Sequence, residues 1–134
     1  MIALDTNVLL RVFINDDESQ HARASALVLA HRAVGGEPPQ LHVGAVVMCE
    51  LVWALDSIYR QPKSGILKVL DVILASRDFE VADRGGIQAA VRRYREGRGD
   101  FADYFIHESA IRAGCESVAT FETKLLKEAG FIAP

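Results

Sequence analysis

The sequence predicts a three-layer α/β/α sandwich with a central parallel sheet, formed by one domain that spans residues 1–134. Its 134 residues suit a single hydrophobic core. Short apolar runs alternate along the chain with longer stretches in which apolar residues recur at i, i+3 and i+4. Alternating strands and helices of this kind are typical of a parallel sheet flanked by helices.

The predicted elements follow this alternation from the N-terminus. Short apolar or β-branched runs predict five strands, at Ile2–Leu4, Leu41–Val43, Phe79–Ala82, Ser117–Thr120 and Phe131–Ala133. Helical spacing predicts helices at Thr6–Ile14, Ser19–Ala33, Val46–Tyr59, Ile66–Ala75, Ile87–Arg95, Ala102–Ala113 and Lys124–Ala129. Glycine and proline predict loops at 35–39 and 97–99.

Composition and charge narrow the class of protein. Half of the residues are hydrophobic, and the net charge of −3 excludes a strongly cationic protein that grips nucleic acid over its whole surface. No apolar run approaches the roughly 20 residues that cross a bilayer. The N-terminus lacks the basic region of a signal peptide, so a cytoplasmic protein is predicted. Cys49 and Cys115 lie in apolar contexts and are expected to be buried thiols.

Two acidic residues follow the first two predicted strands. Asp5 ends the first strand, and ligands of open parallel sheets bind beyond the carboxyl ends of strands. The alternative is that Asp5, or Thr6 after it, only caps the next helix, and this alternative is favoured for Asp5 taken alone. Glu50 lies on a stripe with Val46 and Trp53, where a carboxylate needs an ion pair or a cation.

Further acidic residues lie in the later part of the chain. Asp100 and Asp103 begin a helix, where a capping box is a strong alternative, and His107 one turn later is expected to support the site or the fold. Glu122 follows the fourth strand, two residues after Thr120. Carboxylates that converge repel one another unless a cation offsets their charge. Ligation by oxygen alone suits Mg²⁺ or Mn²⁺ better than zinc.

Four blocks of the sequence, in order and spacing, resemble a known family. "LDTNVLLR", "CELVWAL", "DFADYFIHESA" and "TFETK" are similar to segments of the PIN-domain ribonucleases, most of all the toxins of VapBC toxin–antitoxin pairs. The resemblance implies that Asp5, Glu50 and Asp103 are the catalytic acids that bind metal, and that Asp100 is an auxiliary acid. Polar residues that support the site would be Thr6, Asn7 and Thr120. The fourth acid of the pattern is usually aspartate and is Glu122 here, which leaves open whether it binds metal.

The function implied by this resemblance is that of an endoribonuclease dependent on Mg²⁺ or Mn²⁺. It also implies a PIN-like fold, a small antitoxin as partner, and a homodimer. The alternative is a catalytically silent PIN-like module that only binds RNA or a partner. Other classes fit poorly: a haloacid dehalogenase-like phosphatase needs aspartate where Asn7 stands, and neither the lysine pattern of a receiver domain nor a Ser/His/Asp hydrolase signature occurs.

An RNA substrate would have to reach an acidic pocket on a mildly acidic protein. The best local basic segment is "RRYREGR", which leads into Asp100. Its arginines are expected to contact phosphates and its tyrosine to stack on a base, although a solvated helix face is equally compatible. The tentative residues for binding RNA are therefore Arg92, Arg93, Arg95, Arg98, Tyr94 and, beyond the first strand, Arg11.

Overall fold

Helices and strands alternate along nearly the whole chain in the computed structural model, which describes residues 1–134. The strands are β1 (Ile2–Ala3), β2 (Leu41–Val43), β3 (Phe79–Val81), β4 (Val118–Ala119) and β5 (Phe131–Ile132). The α-helices are α1 (Thr6–Phe13), α2 (Glu18–Ala30), α3 (Ala45–Ser57), α4 (Lys63–Ala75), α5 (Arg84–Glu96) and α6 (Phe101–Arg112).

All five predicted strands are confirmed, each to within about two residues. Six of the seven predicted helices are confirmed as well. The exception is Lys124–Ala129, where only a 3₁₀ helix forms at Leu125–Lys127. The chain leaves helical geometry at Glu128, whose φ of −107° and ψ of 148° are extended, so only one short turn forms.

Residues 1–82 form a compact unit around one parallel sheet in the order β1-β2-β3. The register pairs Leu41 with Ile2 on one side and with Phe79 on the other. Leu41, Val43, Phe79 and Val81 are buried, whereas Glu80, which alternates with them, is exposed. The buried face is therefore the one that carries the apolar residues of the strands.

Apolar stripes on the helices of this unit supply the rest of its core. Leu9, Met48, Leu51, Leu70 and Ile73 are fully inaccessible to solvent. These residues come from α1, α3 and α4, so the helices connecting the strands bury their apolar sides as the helical spacing predicts. Burial of each large apolar side chain of this kind stabilises a fold by about 1.5–3 kcal/mol.

Residues 83–134 form a second compact unit, with the parallel pair β4-β5 and the helices α5 and α6. Its central side chain is Tyr104, which is fully buried. The Tyr104 hydroxyl accepts a hydrogen bond from the Gly99 backbone N–H at 2.8 Å and donates to Glu128 Oε1 at 2.7 Å. Desolvation and the bond to Glu128 raise the pKa of Tyr104 to about 12.

Arg93 ties the C-terminal segment to α6 within this second unit. Its guanidinium donates to His107 Nδ1 at 2.9 Å and to the carbonyl oxygen of Ala129 at 2.9 Å. It also lies over the rings of Tyr104 and Phe131, at 5.0 and 5.4 Å from their centroids. Hydrogen bonds and cation–π contacts of this kind fix the chain end although β5 has only two residues.

The α/β class with a parallel sheet flanked by helices is confirmed. The strands, however, form a three-stranded and a two-stranded parallel sheet. The period of apolar residues locates strands but does not encode which strands pair. No helix is long and apolar enough to span a membrane.

The two cysteines differ in their surroundings. Cys49 on α3 is half-buried, and desolvation raises the pKa of its thiol. Cys115 is exposed, so the expectation that it is buried is wrong. It follows Gly114, which has a φ of 92° and ends the turn after α6. A single cysteine after a helix does not reveal whether the turn beyond it is covered.

Two glycines with positive φ allow a matched test of packing. Gly130 and Gly114 have φ values of 89° and 92°, so alanine strains the backbone at both positions. A methyl group at Gly130 would collide with the His107 ring, whereas Gly114 has open space around it. We expect Gly130→Ala to lower the free energy of unfolding by about 1–3 kcal/mol more than Gly114→Ala does.

Chemical denaturation of both variants, followed by circular dichroism, measures this difference. Equal losses of stability would mean that the His107 ring moves aside freely and that its contact with Arg93 does not hold it in place.

Candidate active site

Asp5 occupies the N-cap position of α1, directly beyond β1. Its backbone has the extended conformation of an N-cap, and its carbonyl oxygen accepts the first helical bond, from the Leu9 N–H at 3.1 Å. Its side chain makes no capping hydrogen bond and is exposed. An aspartate at this position normally accepts a bond from the N2 or N3 backbone N–H. The carboxylate of Asp5 is therefore left free for a ligand.

Thr6 and Glu50 connect the start of α1 to α3. The Thr6 hydroxyl donates to Glu50 Oε2 at 2.5 Å, although 44 residues separate the two in sequence. Thr6 is buried, so its hydroxyl has few other partners and holds the Glu50 carboxylate in one orientation. The second oxygen of Glu50 stays available for a ligand.

The environment of Glu50 differs from the sequence interpretation. The apolar neighbours of Glu50 predict that its carboxylate lies on a buried helix face, but Glu50 and its helical neighbours Val46 and Trp53 are all exposed. Glu50 is therefore not a buried carboxylate that requires a partner. Its hydrogen bond to Thr6 is the feature that distinguishes it from an ordinary surface glutamate.

Asp100 and Asp103 form a capping box at the start of α6. The backbone N–H of Asp100 donates to Asp103 Oδ2 at 2.9 Å, and the side chain of Asp100 accepts a hydrogen bond from the backbone N–H of Asp103. The capping box predicted as the alternative for these two acids is therefore confirmed. Because a carboxylate accepts several hydrogen bonds, one bond to a backbone N–H leaves Asp103 Oδ1 free.

The electrostatic surroundings of Asp103 include two other acids and one lysine. Desolvation raises the pKa of Asp103 above its ordinary value of 3.8, and the charges of Asp100 and Glu122 raise it further. The bond from the Asp100 backbone and the charge of Lys124 act in the opposite direction. Lys124 Nζ lies 3.8 Å from Asp100 Oδ1. The charges of two further carboxylates of the second unit therefore act on Asp103.

Thr120 positions the backbone of Glu122. The N–H of Glu122 donates to Thr120 Oγ1 at 3.1 Å, which forms a tight turn directly after β4. The Glu122 side chain is exposed. The turn explains why a threonine stands two residues before this acid.

The basic segment before Asp100 divides into structural and exposed side chains. Tyr94 is buried and packs edge-on against Phe101, with 6.0 Å between the ring centroids, so its predicted role in base stacking is wrong. Arg93 is also committed to the fold, through His107 and the C-terminal segment, and does not offer its guanidinium to RNA. His107, which was expected to support the site or the fold, accepts a hydrogen bond from Arg93 and so supports the fold.

The remaining arginines of this segment keep exposed side chains. Arg92, Arg95 and Arg98 are all exposed. A helical period explains the difference, because Val91 and Tyr94 point into the core and Arg92 and Arg95 follow each of them by one residue. The pattern of charges alone did not distinguish these positions from Arg93.

Comparison with known proteins assigns the family. The chain matches the PIN domain over residues 2–132, which is nearly its whole length. The chain belongs to the PIN-domain family. It is similar to a VapC ribonuclease of Aquifex aeolicus (strain VF5), with 27% identity over 131 residues that cover 98% of this chain and 93% of that protein. The crystal structure of the Mycobacterium tuberculosis toxin VapC20, which cleaves the sarcin–ricin loop, matches with 17% identity and a TM-score of 0.44, covering 100% of this chain and 98% of that one.

The candidate residues of this PIN domain fall into two sets. In residues 1–82, Asp5 and Thr6 begin α1 and Glu50 joins them through Thr6. In residues 83–134, Asp103 lies within electrostatic reach of Asp100 and Glu122. No group of three or more histidine, cysteine, aspartate or glutamate side chains is arranged to hold a metal ion.

The donor atoms in both sets nevertheless fit a hard divalent cation. All of them are carboxylate or hydroxyl oxygens, and three carboxylates, on Asp5, Glu50 and Asp103, keep unused oxygens. Mg²⁺ and Mn²⁺ prefer oxygen donors of this type. Lys124 was missed by the sequence analysis, because a lysine two residues after an acid has no recognisable spacing.

The charges around Asp103 lead to a prediction with opposite signs. Glu122→Gln removes a charge that raises the pKa of Asp103 and should lower that pKa, whereas Lys124→Gln should raise it. Because the folded pKa lies above the ordinary value of 3.8, the folded state holds this proton more tightly than the unfolded chain does. The contribution of Asp103 to stability is therefore complete at low pH and is lost as the pH rises through its folded pKa.

Nuclear magnetic resonance titration of the Asp103 carboxyl carbon measures these shifts directly. Lys127→Gln is the matched control, since Lys127 is exposed and is not among the charges that act on Asp103. Shifts of the same sign in the two test variants would contradict the arrangement of charges described here.

Proposed function

We propose that this PIN domain is a metal-dependent endoribonuclease and the toxin of a toxin–antitoxin pair. The observation that carries the proposal is the free carboxylate of Asp5, at an N-cap position where an aspartate would ordinarily bond to its own helix. The similarity to a VapC ribonuclease supports RNA as the substrate. The sequence resemblance to VapBC toxins supports a small antitoxin as partner, a homodimer and a cytoplasmic location.

Asp5, Glu50 and Asp103 are the proposed metal-binding acids, with Mg²⁺ or Mn²⁺ as the ion. The family match extends over residues 2–132 and so includes all three acids. A bound divalent cation lowers the pKa of water and neutralises charge on phosphoryl oxygens. Asp100 and Glu122 add negative charge beside Asp103, and Asn7 and Thr120 are proposed to support the site.

The side chains have distinct tasks in the proposed hydrolysis. Water attacks the phosphorus in line, and the 3′ oxygen departs. The hydrogen bond from Thr6 orients Glu50, so that less conformational freedom is lost when a ligand binds. Asp103 keeps Oδ1 outside the capping box, and this oxygen is proposed to orient the attacking water.

Exposed arginines are proposed to guide RNA to the acids. Arg92, Arg95 and Arg98 keep exposed side chains on a protein of net charge −3. Because Arg93 and Tyr94 belong to the fold, binding in this segment would be to phosphates and not by stacking.

The activity is tested with purified protein and single-stranded and structured RNA. We expect cleavage in Mg²⁺ or Mn²⁺, none in EDTA, and a loss of about 100-fold or more for Asp5→Asn. Asp56→Asn is the matched control, since Asp56 is exposed on α3 and belongs to neither set of acids. Cleavage that persists in EDTA would overturn the metal mechanism. RNA binding without any cleavage would support the catalytically silent module.

Thermal melts separate a metal-binding Asp5 from a capping Asp5. Asparagine caps about as well as aspartate, and the Asp5 side chain makes no capping bond, so Asp5→Asn should not lower the melting temperature in EDTA. Mn²⁺ should stabilise the wild type by about 2.7 kcal/mol at 100 times its Kd. The variant should lose most of this gain. Identical melts at every Mn²⁺ concentration would mean that Asp5 is not a ligand.

A further inference from the structure

A cleft of about 440 Å³ opens between α1 and α2, within residues 1–82. Its volume lies in the range of pockets that hold small ligands, roughly 300–1,000 Å³. It begins at Asn7, two residues after Asp5. None of the tasks assigned above to the acids and exposed arginines uses this cleft.

The lining of the cleft combines three kinds of side chain. Val8 and Leu27 contribute apolar surface, and Asn7 and Gln20 contribute amide groups. Arginine supplies the only charge, and no carboxylate is among the lining residues. A cleft that is positive, partly apolar and able to form amide hydrogen bonds is complementary to an anion that carries a flat ring.

The two arginines of the cleft are held differently. Arg11 donates from Nε to Gln20 at 2.7 Å and from Nη1 to Asp16 and Tyr59, both at 2.8 Å. These bonds leave Nη2 without a partner and fix the guanidinium as part of the wall. Arg11 is also one of the tentative RNA-binding residues, and its charge is already paired with Asp16.

Arg23 is the free cation of the cleft. It lies in the middle of α2, its side chain is exposed, and it makes no hydrogen bond or ion pair. A guanidinium presents five N–H donors in a plane that matches a phosphate group. Arg11 and Asp16 form an ion pair and neutralise each other, so Arg23 supplies the net positive charge available to an incoming anion.

We propose that the cleft between α1 and α2 binds one nucleotide of a single RNA strand, beside the nucleotide whose phosphate is cut. Arg23 contacts the phosphate, Val8 and Leu27 contact a face of the base, and the amides of Asn7 and Gln20 contact its edge. This inference rests on the proposed ribonuclease function. An acidic helical peptide is the less suitable occupant, because docked helices anchor through apolar side chains and four of the seven residues that line the cleft are polar or charged.

Fluorescence anisotropy with a labelled single-stranded RNA dodecamer of mixed sequence tests the proposal in EDTA. The chelator prevents metal-dependent cleavage, so the result does not depend on whether the acids catalyse hydrolysis. We expect Arg23→Gln to weaken binding about tenfold. The slope of log K against log salt should fall by about 0.7, the value for one phosphate contact on a single strand. Arg23→Lys should restore the slope and only part of the affinity.

Arg32→Gln is the matched control. Arg32 lies just beyond α2 and outside the cleft, and its replacement by glutamine removes the same charge. Equal weakening by Arg23→Gln and Arg32→Gln would reduce the effect to net charge and overturn the proposal. Unchanged RNA affinity in Arg23→Gln would also overturn it, and peptide binding lost in that variant would assign the cleft to a protein partner. Wild-type protein that binds the RNA in EDTA but does not cleave it in Mg²⁺ or Mn²⁺ would refute only the nuclease.

Discussion

The pairing of β2 with both of its neighbours is the constraint on which residues 1–82 depend. β2 is the only strand hydrogen-bonded on two sides, and its three residues align the ends of β1 and β3. In a parallel sheet, all carboxyl ends lie along one edge. Asp5 leaves β1 at this edge and Gly44 begins α3 at the same edge, after β2. The Thr6–Glu50 hydrogen bond is short in space and long in sequence for this reason.

The aspartates at the helix N-termini of this protein differ in whether their side chains cap the helix. Asp17 at the start of α2 accepts from the Gln20 N–H at 2.9 Å, and Asp100 and Asp103 satisfy the first turn of α6. Asp5 has the same position relative to its helix and makes no such bond. Because an unsatisfied helix terminus costs roughly 1 kcal/mol, a carboxylate withheld from this task needs a compensating role. A bound cation would provide one, with the positive end of α1 moderating its charge.

Much of this fold was predictable, because strands and helices leave local patterns. The apolar runs located all five strands, and the periods located six helices. Strand pairing was not predictable in the same way, since β1 and β4 have similar short apolar sequences and only their surroundings determine their partners. Glu128 illustrates the limit: it accepts from Tyr104, 24 residues away, and no spacing in the sequence suggests the pair.

The same distinction applies to the candidate site. Acids that follow strands were found from the sequence because the fold class tells where strands end. The basic segment was interpreted less well, since four arginines look equivalent in sequence whereas one of them, Arg93, faces inward. Asp16 and Tyr59, which hold Arg11, come from different parts of the chain and were not found at all.

The inward position of Arg93 has a consequence for how this chain tolerates sequence change. Its five partners include the Ala129 carbonyl and the Phe131 ring, so the last residues of the chain are held by a side chain in α5. Substitution of exposed arginines alters only the surface charge. Replacement of Arg93 by lysine removes the planar guanidinium, which reaches two acceptors at once. Homologous chains with a shorter C-terminus should therefore be free to change this arginine. Chains that keep β5 should retain it together with the glycine that precedes the strand.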